Sequence, residues 1–354
     1  MSTLGLGIVT ELIVRHLFHT TPASVSRRYI AVVLIYAGID EAGYGPMFGP
    51  LCVAGTVFVL DRHDPAAGPP DLWRLLRAAV CRKPSDRKRR VAVNDSKKLK
   101  GANDGPSHPL RHLERAVLAF DPHCVEAPDD DEAFLAPLDA EVPGHPWFTG
   151  TTPLPLAHTA DQLRISRARL QRAMQRAAIR CEAMSCRVIG AEELNRSIDA
   201  HGTKADVNFD AALRLIDAVW SRWPDDHPRI VVDRHGGRTR YGAGLVRGLA
   251  GSTIEVVAET ASMSRYVLTR AGSKVTVSFA VEADGRFLPV ALASMLAKYV
   301  RELLMLRLNR YFKARMPQLK PTAGYFTDGR RYLTEIKPLM KQLHVTQSQL
   351  VRHH

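Results

Sequence analysis

The sequence predicts an α/β protein, because apolar runs of strand length alternate with longer segments of helical periodicity. The first strands are predicted at Ala31 to Ile39 and at Leu51 to Leu60, and a later one at Arg229 to Asp233. Helices are predicted from Leu72 to Val80, from about Ala205 to Trp220 and, with apolar residues that recur at helical spacing, from Ala160 to Met184. Alternation of this kind is typical of an α/β architecture.

The chain is long and basic. It has 354 residues, of which 45% are hydrophobic, and 49 Lys and Arg against 36 Asp and Glu give a net charge of +13. A chain of this length holds one large or two ordinary domains and easily buries a core. Its charge favours a polyanionic partner such as nucleic acid, although a high net charge can also serve solubility alone.

Cysteine usage and hydropathy indicate the cellular setting. The five cysteines are scattered and include no C-x-x-C pair, which favours reduced residues of an intracellular protein over a disulfide framework or a zinc site. The longest apolar stretch, Ile30 to Ile39, is about half of the roughly 20 residues that a bilayer requires. We therefore expect a cytoplasmic protein without a membrane-spanning helix, and a monomer.

The domain organisation follows from composition. Residues 1–29 are predicted to be an N-terminal extension with a loosely packed helix around Leu12 to Phe18, and residues 30–345 to form one domain. Residues 101–160 are rich in Pro, Gly, Asp and His, which predicts a loop-rich insertion. Within it, Asp129 to Glu132 lack the spacing of a calcium loop and are expected to be an exposed acidic loop.

The most informative segment is the turn between the first two predicted strands. Asp40 and Glu41 end the first strand, and Gly43 and Gly45 follow them directly. Adjacent carboxylates at a strand end can ligate a hard divalent cation, and flexible glycines let backbone amides approach a ligand closely. The segment predicts metal-dependent chemistry on a charged substrate, with a solvated turn as the alternative.

This segment, G-I-D-E-A-G-Y-G-P followed by a further G-P, closely resembles the ribonuclease HII (type 2 ribonuclease H) signature G-I-D-E-A-G-R-G-P. Tyr44 stands where the family usually carries Arg. A second family signature, D-S-K-K-L, occurs at Asp95 to Leu99. The resemblance covers about residues 35–100 and 180–335. It implies a divergent member with a ribonuclease H-like fold, in which helices flank a central mixed β-sheet and a helical segment follows from about Leu303.

Two further acids resemble family positions. Asp233, at the end of its short strand, takes the place of the family's third catalytic Asp. Residues 293–302 resemble the family helix A-S-I-(I/V)-A-K-V-T-R-D, with Glu302 in place of its final Asp. The alternative for Glu302 is an ordinary ion pair with Lys298, four residues before it on the helix. Asp284, in a G-D-like element ahead of this helix, is interpreted as structural.

The resemblance implies two-metal-ion hydrolysis of a phosphodiester bond. Four clustered carboxylates repel one another unless cations bind, so Mg²⁺ or Mn²⁺ is expected, and oxygen-only ligands argue against zinc. The predicted catalytic and metal-binding residues are Asp40, Glu41, Asp233 and Glu302. The predicted substrate-binding residues are Gly43, Tyr44, Gly45, Ser96, Lys97, Lys98, Lys298 and Tyr325.

The function implied by the resemblance is that of an endonuclease. It would hydrolyse the RNA strand of RNA/DNA hybrids or cut at ribonucleotides embedded in DNA, with the glycine turn reading the ribose 2′-hydroxyl. The alternative is a catalytically weakened homologue that binds nucleic acid without cutting it. The departures at Tyr44 and Glu302 motivate that alternative.

Overall fold

The computed structural model describes residues 33–64, 67–103 and 105–353, so the predicted extension at residues 1–29, with its helix, lies outside the described residues. The strands are β1 (Leu34–Ala42), β2 (Leu51–Leu60), β3 (Val80–Cys81), β4 (Val91–Ala92), β5 (Ile179–Ile189), β6 (Arg229–Asp233), β7 (Thr253–Glu259), β8 (Met263–Arg270) and β9 (Ser273–Ala280). Seven of these form a mixed sheet in the order β5-β2-β1-β6-β9-β8-β7, and β3 pairs with β4 separately. Strands β1, β6 and β9 are parallel neighbours, and the other pairs of the large sheet are antiparallel.

Helices cover both faces of the large sheet. They are α1 (Leu72–Leu75), α2 (Ser96–Leu99), α3 (Arg111–Phe120), α4 (Asp131–Leu135), α5 (Ala160–Ala177), α6 (Ala191–His201), α7 (Lys204–Arg222), α8 (Gly242–Gly248), α9 (Leu288–Arg315), α10 (Phe326–Gln342) and α11 (Gln347–Leu350). None of those described is both long enough and apolar enough to cross a bilayer. The predicted fold class, a central mixed sheet flanked by helices with a C-terminal helical segment, is confirmed.

The hairpin of β1 and β2 forms the centre of the protein. Its register runs from Leu34 opposite Leu60 to Ala42 opposite Cys52, which confirms the predicted pair of strands. Nearly every residue of both strands is buried, because α9 packs on one face and α7 on the other. Strands covered on both faces are continuously apolar, and this is why the two runs lack polar alternation.

Helix α9 lies against the sheet at unusually short range. A Cβ atom on Gly38 would stand 2.2 Å from the backbone nitrogen of Val290, so only glycine permits this contact. At the far end of β1, a Cβ atom on Gly43 would stand 2.7 Å from the Arg301 side chain. Helix α9 therefore runs alongside β1, and its residues 290–301 are distributed along the strand from Gly38 to the glycine turn.

Two predicted helices are shorter than expected. The helix predicted to reach Met184 ends at Ala177, where Ala178 adopts a left-handed conformation, and the chain continues as β5, paired with β2. The helix predicted over Leu72 to Val80 stops at Leu75, because Val80 pairs with Val91. In both cases pairing with another strand outweighs the local helical pattern.

The described part of residues 101–160, predicted to be a loop-rich insertion, contains two helices, α3 and α4, that pack against the core. Helix α3 lies against α5 and α9, and its Glu114 is fully buried. The Glu114 carboxylate accepts hydrogen bonds from the backbone of Leu156 at 2.5 Å and of Ala157 at 2.9 Å, and from the Tyr299 hydroxyl at 3.2 Å. Buried polar hydrogen bonds thus hold a segment whose composition looks irregular.

The predicted acidic loop differs from the structure, because Asp131 and Glu132 begin α4 and Asp131 is buried. Asp129 and Glu132 are exposed, but Asp131 is fully buried and forms a two-pronged ion pair with Arg307 of α9, at 2.6 and 2.8 Å. The Thr152 backbone donates a further hydrogen bond to Asp131 at 2.7 Å. The ion pair of Asp131 with Arg307 therefore joins this segment to α9.

Candidate active site

The three parallel strands place their acids at one edge of the sheet. Asp40 and Glu41 lie in the last part of β1, and Asp233 ends β6 beside them, since Ile39 pairs with Val232 in the preceding position. Strand β9 ends opposite Asp233, and Asp284 follows it in a short 3₁₀ turn. Carboxyl ends of adjacent parallel strands are where α/β sheets bind their ligands.

Asp40 is the most buried of these acids. Burial raises its pKa well above the usual range, and the neighbouring charges of Glu41, Asp233 and Asp284 raise it further. The carboxylate accepts a hydrogen bond from the Glu41 backbone at 2.7 Å, and the Ser294 hydroxyl of α9 lies beside it. Burial and neighbouring negative charge both favour the neutral form of this carboxyl group, and a bound cation would favour the charged form.

Asp233 and Asp284 share the same environment. Burial raises the pKa of Asp233 to about 7, with Asp284 and Glu41 adding to the effect. A hydrogen bond from the Ala283 backbone to Asp233, 2.8 Å long, joins β6 to the turn that carries Asp284. Burial likewise raises the pKa of Asp284, followed by the charge of Asp95. These mutual effects define a cluster of four acids, Asp40, Glu41, Asp233 and Asp284.

Glu302, predicted as the fourth acid of the site, lies elsewhere. Its carboxylate pairs with Lys298 at 2.7 Å and approaches Arg301 at 3.5 Å. It follows Ser294, the α9 residue beside Asp40, by eight positions, which is roughly 12 Å along a helix at about 1.5 Å per residue. Glu302 thus forms the ion pair with Lys298 that is the alternative interpretation of the sequence. Asp284 is the acid that the fold brings close to Asp40 and Asp233.

The described residues contain no three His, Cys, Asp or Glu side chains close enough together to hold a metal ion as they stand. The donor chemistry nevertheless fits a hard divalent cation, because the clustered acids offer only oxygen atoms. The buried Asn208 amide of α7 lies against Glu41, yet neither of its polar atoms has a hydrogen bond of standard geometry within the described part of the chain. A cation among these acids would offset their repulsion, and the unsatisfied Asn208 oxygen is available to it.

The serine and lysines predicted to bind substrate divide into two groups. Ser96 and Lys97 lie at the acids. The Ser294 hydroxyl donates a hydrogen bond to the Ser96 hydroxyl at 3.1 Å. Burial is the largest effect on the pKa of Glu41, Asp233 and Asp284 and raises it, and the charge of Lys97 acts in the opposite direction. Lys98 is largely exposed beside them. Lys298 is buried in its pair with Glu302 and turned to that partner.

The glycine turn is fixed by two arginines. Arg301 donates to the carbonyl of Phe48 at 3.0 Å, and Arg352 donates to the carbonyls of Gly43, at 2.5 Å, and of Pro46. Burial, and then the charge of Arg301, lower the pKa of Arg352 to about 9. The Arg352 backbone also donates to Met47 at 3.0 Å. Nothing in the sequence pattern marks Arg352, which the fold returns to the turn from 300 positions away.

Two exposed aromatic side chains border this turn. Tyr44, between its glycines, is 39% exposed, and the ammonium group of Lys204 lies 5.5 Å from its ring centre. Tyr325 is 53% exposed and follows Gly324, whose carbonyl accepts hydrogen bonds from the backbone of residues 47 and 48. The fold therefore places Gly43, Tyr44 and Gly45 in the turn, and it places Tyr325 next to Gly324, whose carbonyl accepts backbone hydrogen bonds from Met47 and Phe48.

Substituting Gly43 by alanine should destabilise the protein by about 1–3 kcal/mol, the typical cost of a strained backbone conformation. Gly43 has φ +90°, and a Cβ atom would lie 2.6 Å from the carbonyl oxygen of Pro50. Gly45 is the matched control, because a Cβ atom there meets nothing within 4 Å. Urea unfolding of both variants tests this, and equal stability of Gly43→Ala and Gly45→Ala would contradict the role of the left-handed backbone.

The mixed sheet with helices on both faces agrees with the ribonuclease H-like fold expected from the sequence. The family model of ribonuclease HII matches residues 249–354, a stretch that contains Asp284, β8, β9 and α9. The resemblance seen in the sequence motifs and the predicted enzyme class are thereby confirmed, in a divergent chain.

Solved structures that match the chain share little sequence identity with it. RNase HII of Archaeoglobus fulgidus, in a complex with PCNA, is 18% identical, with a TM-score of 0.37 and coverage of 91% of this chain and 95% of that one. Ribonuclease H2 of Pyrococcus horikoshii OT3 is 14% identical, with a TM-score of 0.40 and coverage of 90% and 92%. Bst-RNase HIII in complex with Mn²⁺ is 14% identical, with a TM-score of 0.41 and coverage of 94% and 70%. None of the curated proteins compared with the chain matches it.

Proposed function

We propose that this chain is a metal-dependent endonuclease that hydrolyses the RNA strand of RNA/DNA hybrids or cuts at ribonucleotides embedded in duplex DNA. The observation that supports it best is the convergence of four acids, Asp40, Glu41, Asp233 and Asp284, beside the glycine turn. These acids would hold Mg²⁺ or Mn²⁺. Such ions, when bound, activate water and stabilise the leaving oxygen of a phosphodiester.

The chain's own residues would bind and orient the substrate. Lys97 brings positive charge to the acids, where a scissile phosphate would lie. The backbone around Gly45 is open, with nothing within 4 Å of a hypothetical Cβ atom, so a ribose 2′-hydroxyl can approach it. Tyr44 and Tyr325 offer exposed ring faces on which a sugar or base can stack.

A second candidate function is binding of the same nucleic acids without cleavage. It is favoured by Tyr44, which stands at the glycine turn where the ribonuclease HII signature carries a charged Arg. The two functions predict the same affinity for substrate and differ only in turnover.

Cleavage of a DNA duplex carrying one ribonucleotide distinguishes the two. With Mg²⁺ or Mn²⁺, the wild-type chain should cut this duplex and leave an all-DNA duplex intact. The Asp40→Asn variant should cut neither duplex. Equal cutting by wild type and Asp40→Asn would refute the assignment of the site. Binding without cutting by wild type would establish the second function.

Cation binding should tighten by about tenfold between roughly pH 6 and pH 8. Burial raises the pKa of Asp233 to about 7, so below that value a proton competes with the cation for the carboxylate. Calorimetric titration with Mn²⁺ measures the change, and Asp233→Asn should lose most of it. In the absence of metal, Asp233 stabilises the fold fully below its unfolded pKa of about 3.9 and loses that contribution as the pH rises through about 7. Equal Mn²⁺ affinity at both pH values would contradict the assignment.

A further inference from the structure

We propose that the chain has a second anion site, on the sheet surface away from the acids, which binds the phosphate group of a nucleotide or of a nucleic-acid strand. The site is a cavity of about 340 Å³ lined by residues of five adjacent strands, β1, β6, β9, β8 and β7, and of the loop before α1. Its polar lining residues are Tyr36, Arg229, Arg265, Thr276 and Ser278.

The sheet register places these side chains in one group. Tyr36 of β1 pairs with Arg229 of β6, Arg229 pairs with Thr276 of β9, and Ser278 pairs with Arg265 of β8. Paired residues point to the same face of a sheet, and residues two apart on a strand also share a face. Tyr36 therefore shares the face of Asp40, four residues further on, at a distance of roughly 13 Å along the strand.

The arginines of the cavity lack acidic partners. Arg229 donates to the Thr276 hydroxyl at 2.8 Å and Arg265 to the Ser278 hydroxyl at 3.1 Å, and neither forms an ion pair with a described carboxylate. Burial, and then the charge of Arg265, lower the pKa of Arg229. Two like charges that face one cavity without a counter-ion attract an anion, and guanidinium groups fit phosphate.

Tyr36 supplies an independent indication. The side chain is 2% exposed and lines the cavity, yet its hydroxyl has no hydrogen-bond partner among the described residues. Arg265 and Arg286 lie near this hydroxyl, and the neighbouring acid Asp71 uses its carboxylate to cap α1 through the backbone of residue 74. Buried hydroxyls are nearly always hydrogen-bonded, so the Tyr36 hydroxyl is a donor in need of an acceptor such as a phosphate oxygen.

The rest of the lining suits a nucleotide. Pro69 and Pro70 form one wall, and Leu34, Val257 and Val267 add apolar surface. The cavity volume lies within the range of roughly 300–1,000 Å³ that is usual for small-molecule sites. A sugar or base can rest on the apolar wall while its phosphate contacts the arginines.

Calorimetric titration of the full chain without divalent cations tests the site. The probes are inorganic phosphate, adenosine 5′-monophosphate, and a short oligodeoxynucleotide without terminal phosphates. Arg265→Gln and Tyr36→Phe should each weaken binding, the first by at least about tenfold. Arg214→Gln is the control of equal charge change, since Arg214 is exposed on α7 over the opposite face. Tighter binding of the monophosphate identifies a free nucleotide as the source, and tighter binding of the oligodeoxynucleotide identifies a strand.

The thermal midpoint of Tyr36→Phe separates a binding role from a structural one. Removal of an unpaired buried hydroxyl should leave this midpoint unchanged or raise it, while affinity falls. Unchanged affinity in Arg265→Gln or in Tyr36→Phe would overturn the proposal. Asp40→Asn should bind the monophosphate as wild type does, so the result does not depend on whether the proposed cleavage occurs.

Discussion

Replacing Asp284 by asparagine should lower the rate of ribonucleotide-dependent cleavage by about 10²- to 10³-fold, while Glu302→Gln should retain most of it. The loss is that expected when one charged group is removed from a site that stabilises developing charge. Asp284 contributes to the raised pKa of both Asp40 and Asp233, whereas Glu302 is paired with Lys298.

The effects of the same two substitutions on stability should be the reverse of their effects on cleavage. Asp284→Asn removes a like charge from a repelling cluster and should leave the free energy of unfolding unchanged or higher without metal. Glu302→Gln leaves buried Lys298 without its partner and should cost about 1–3 kcal/mol. Single-turnover cleavage and urea unfolding measure the two effects. Cleavage that is lost in Glu302→Gln and kept in Asp284→Asn would reverse our assignment of the fourth acid.

Substituting Asp131 by alanine should lower the free energy of unfolding by about 3–5 kcal/mol, the usual result of breaking a buried ion pair. Arg307 would keep its bond to the Phe148 carbonyl, at 2.9 Å, but its charge would be buried without compensation. Glu132→Ala is the control, because Glu132 follows Asp131 in the sequence but its side chain is exposed. This substitution should change the free energy of unfolding by less than about 0.5 kcal/mol. Equal denaturant midpoints for the two variants would contradict the role of Asp131.

Sequence patterns were sufficient for the hairpin, for Asp233 and for the glycine turn, since each is a local apolar run that ends in diagnostic residues. They misplaced the fourth acid, because Asp284 and Glu302 are both acids near one helix and only the three-dimensional position of Ser294 beside Asp40 separates them. Asp131 was assigned to an exposed loop because its partner Arg307 is 176 residues away. Partners so distant leave no periodic signal.

The contacts of Arg352 make the glycine turn and residues 346–353 a single cooperative unit. In the turn, the backbone amides of Met47 and Phe48 donate hydrogen bonds to the Gly324 carbonyl. The Asn195 side chain of α6 donates to the carbonyls of Ser348 and Val351 at 2.9 and 2.8 Å. Neither part can open while the other stays closed without breaking the bonds of Arg352. Amide hydrogen exchange at the turn should therefore report detachment of residues 346–353, and a substrate that orders the turn should slow exchange in both.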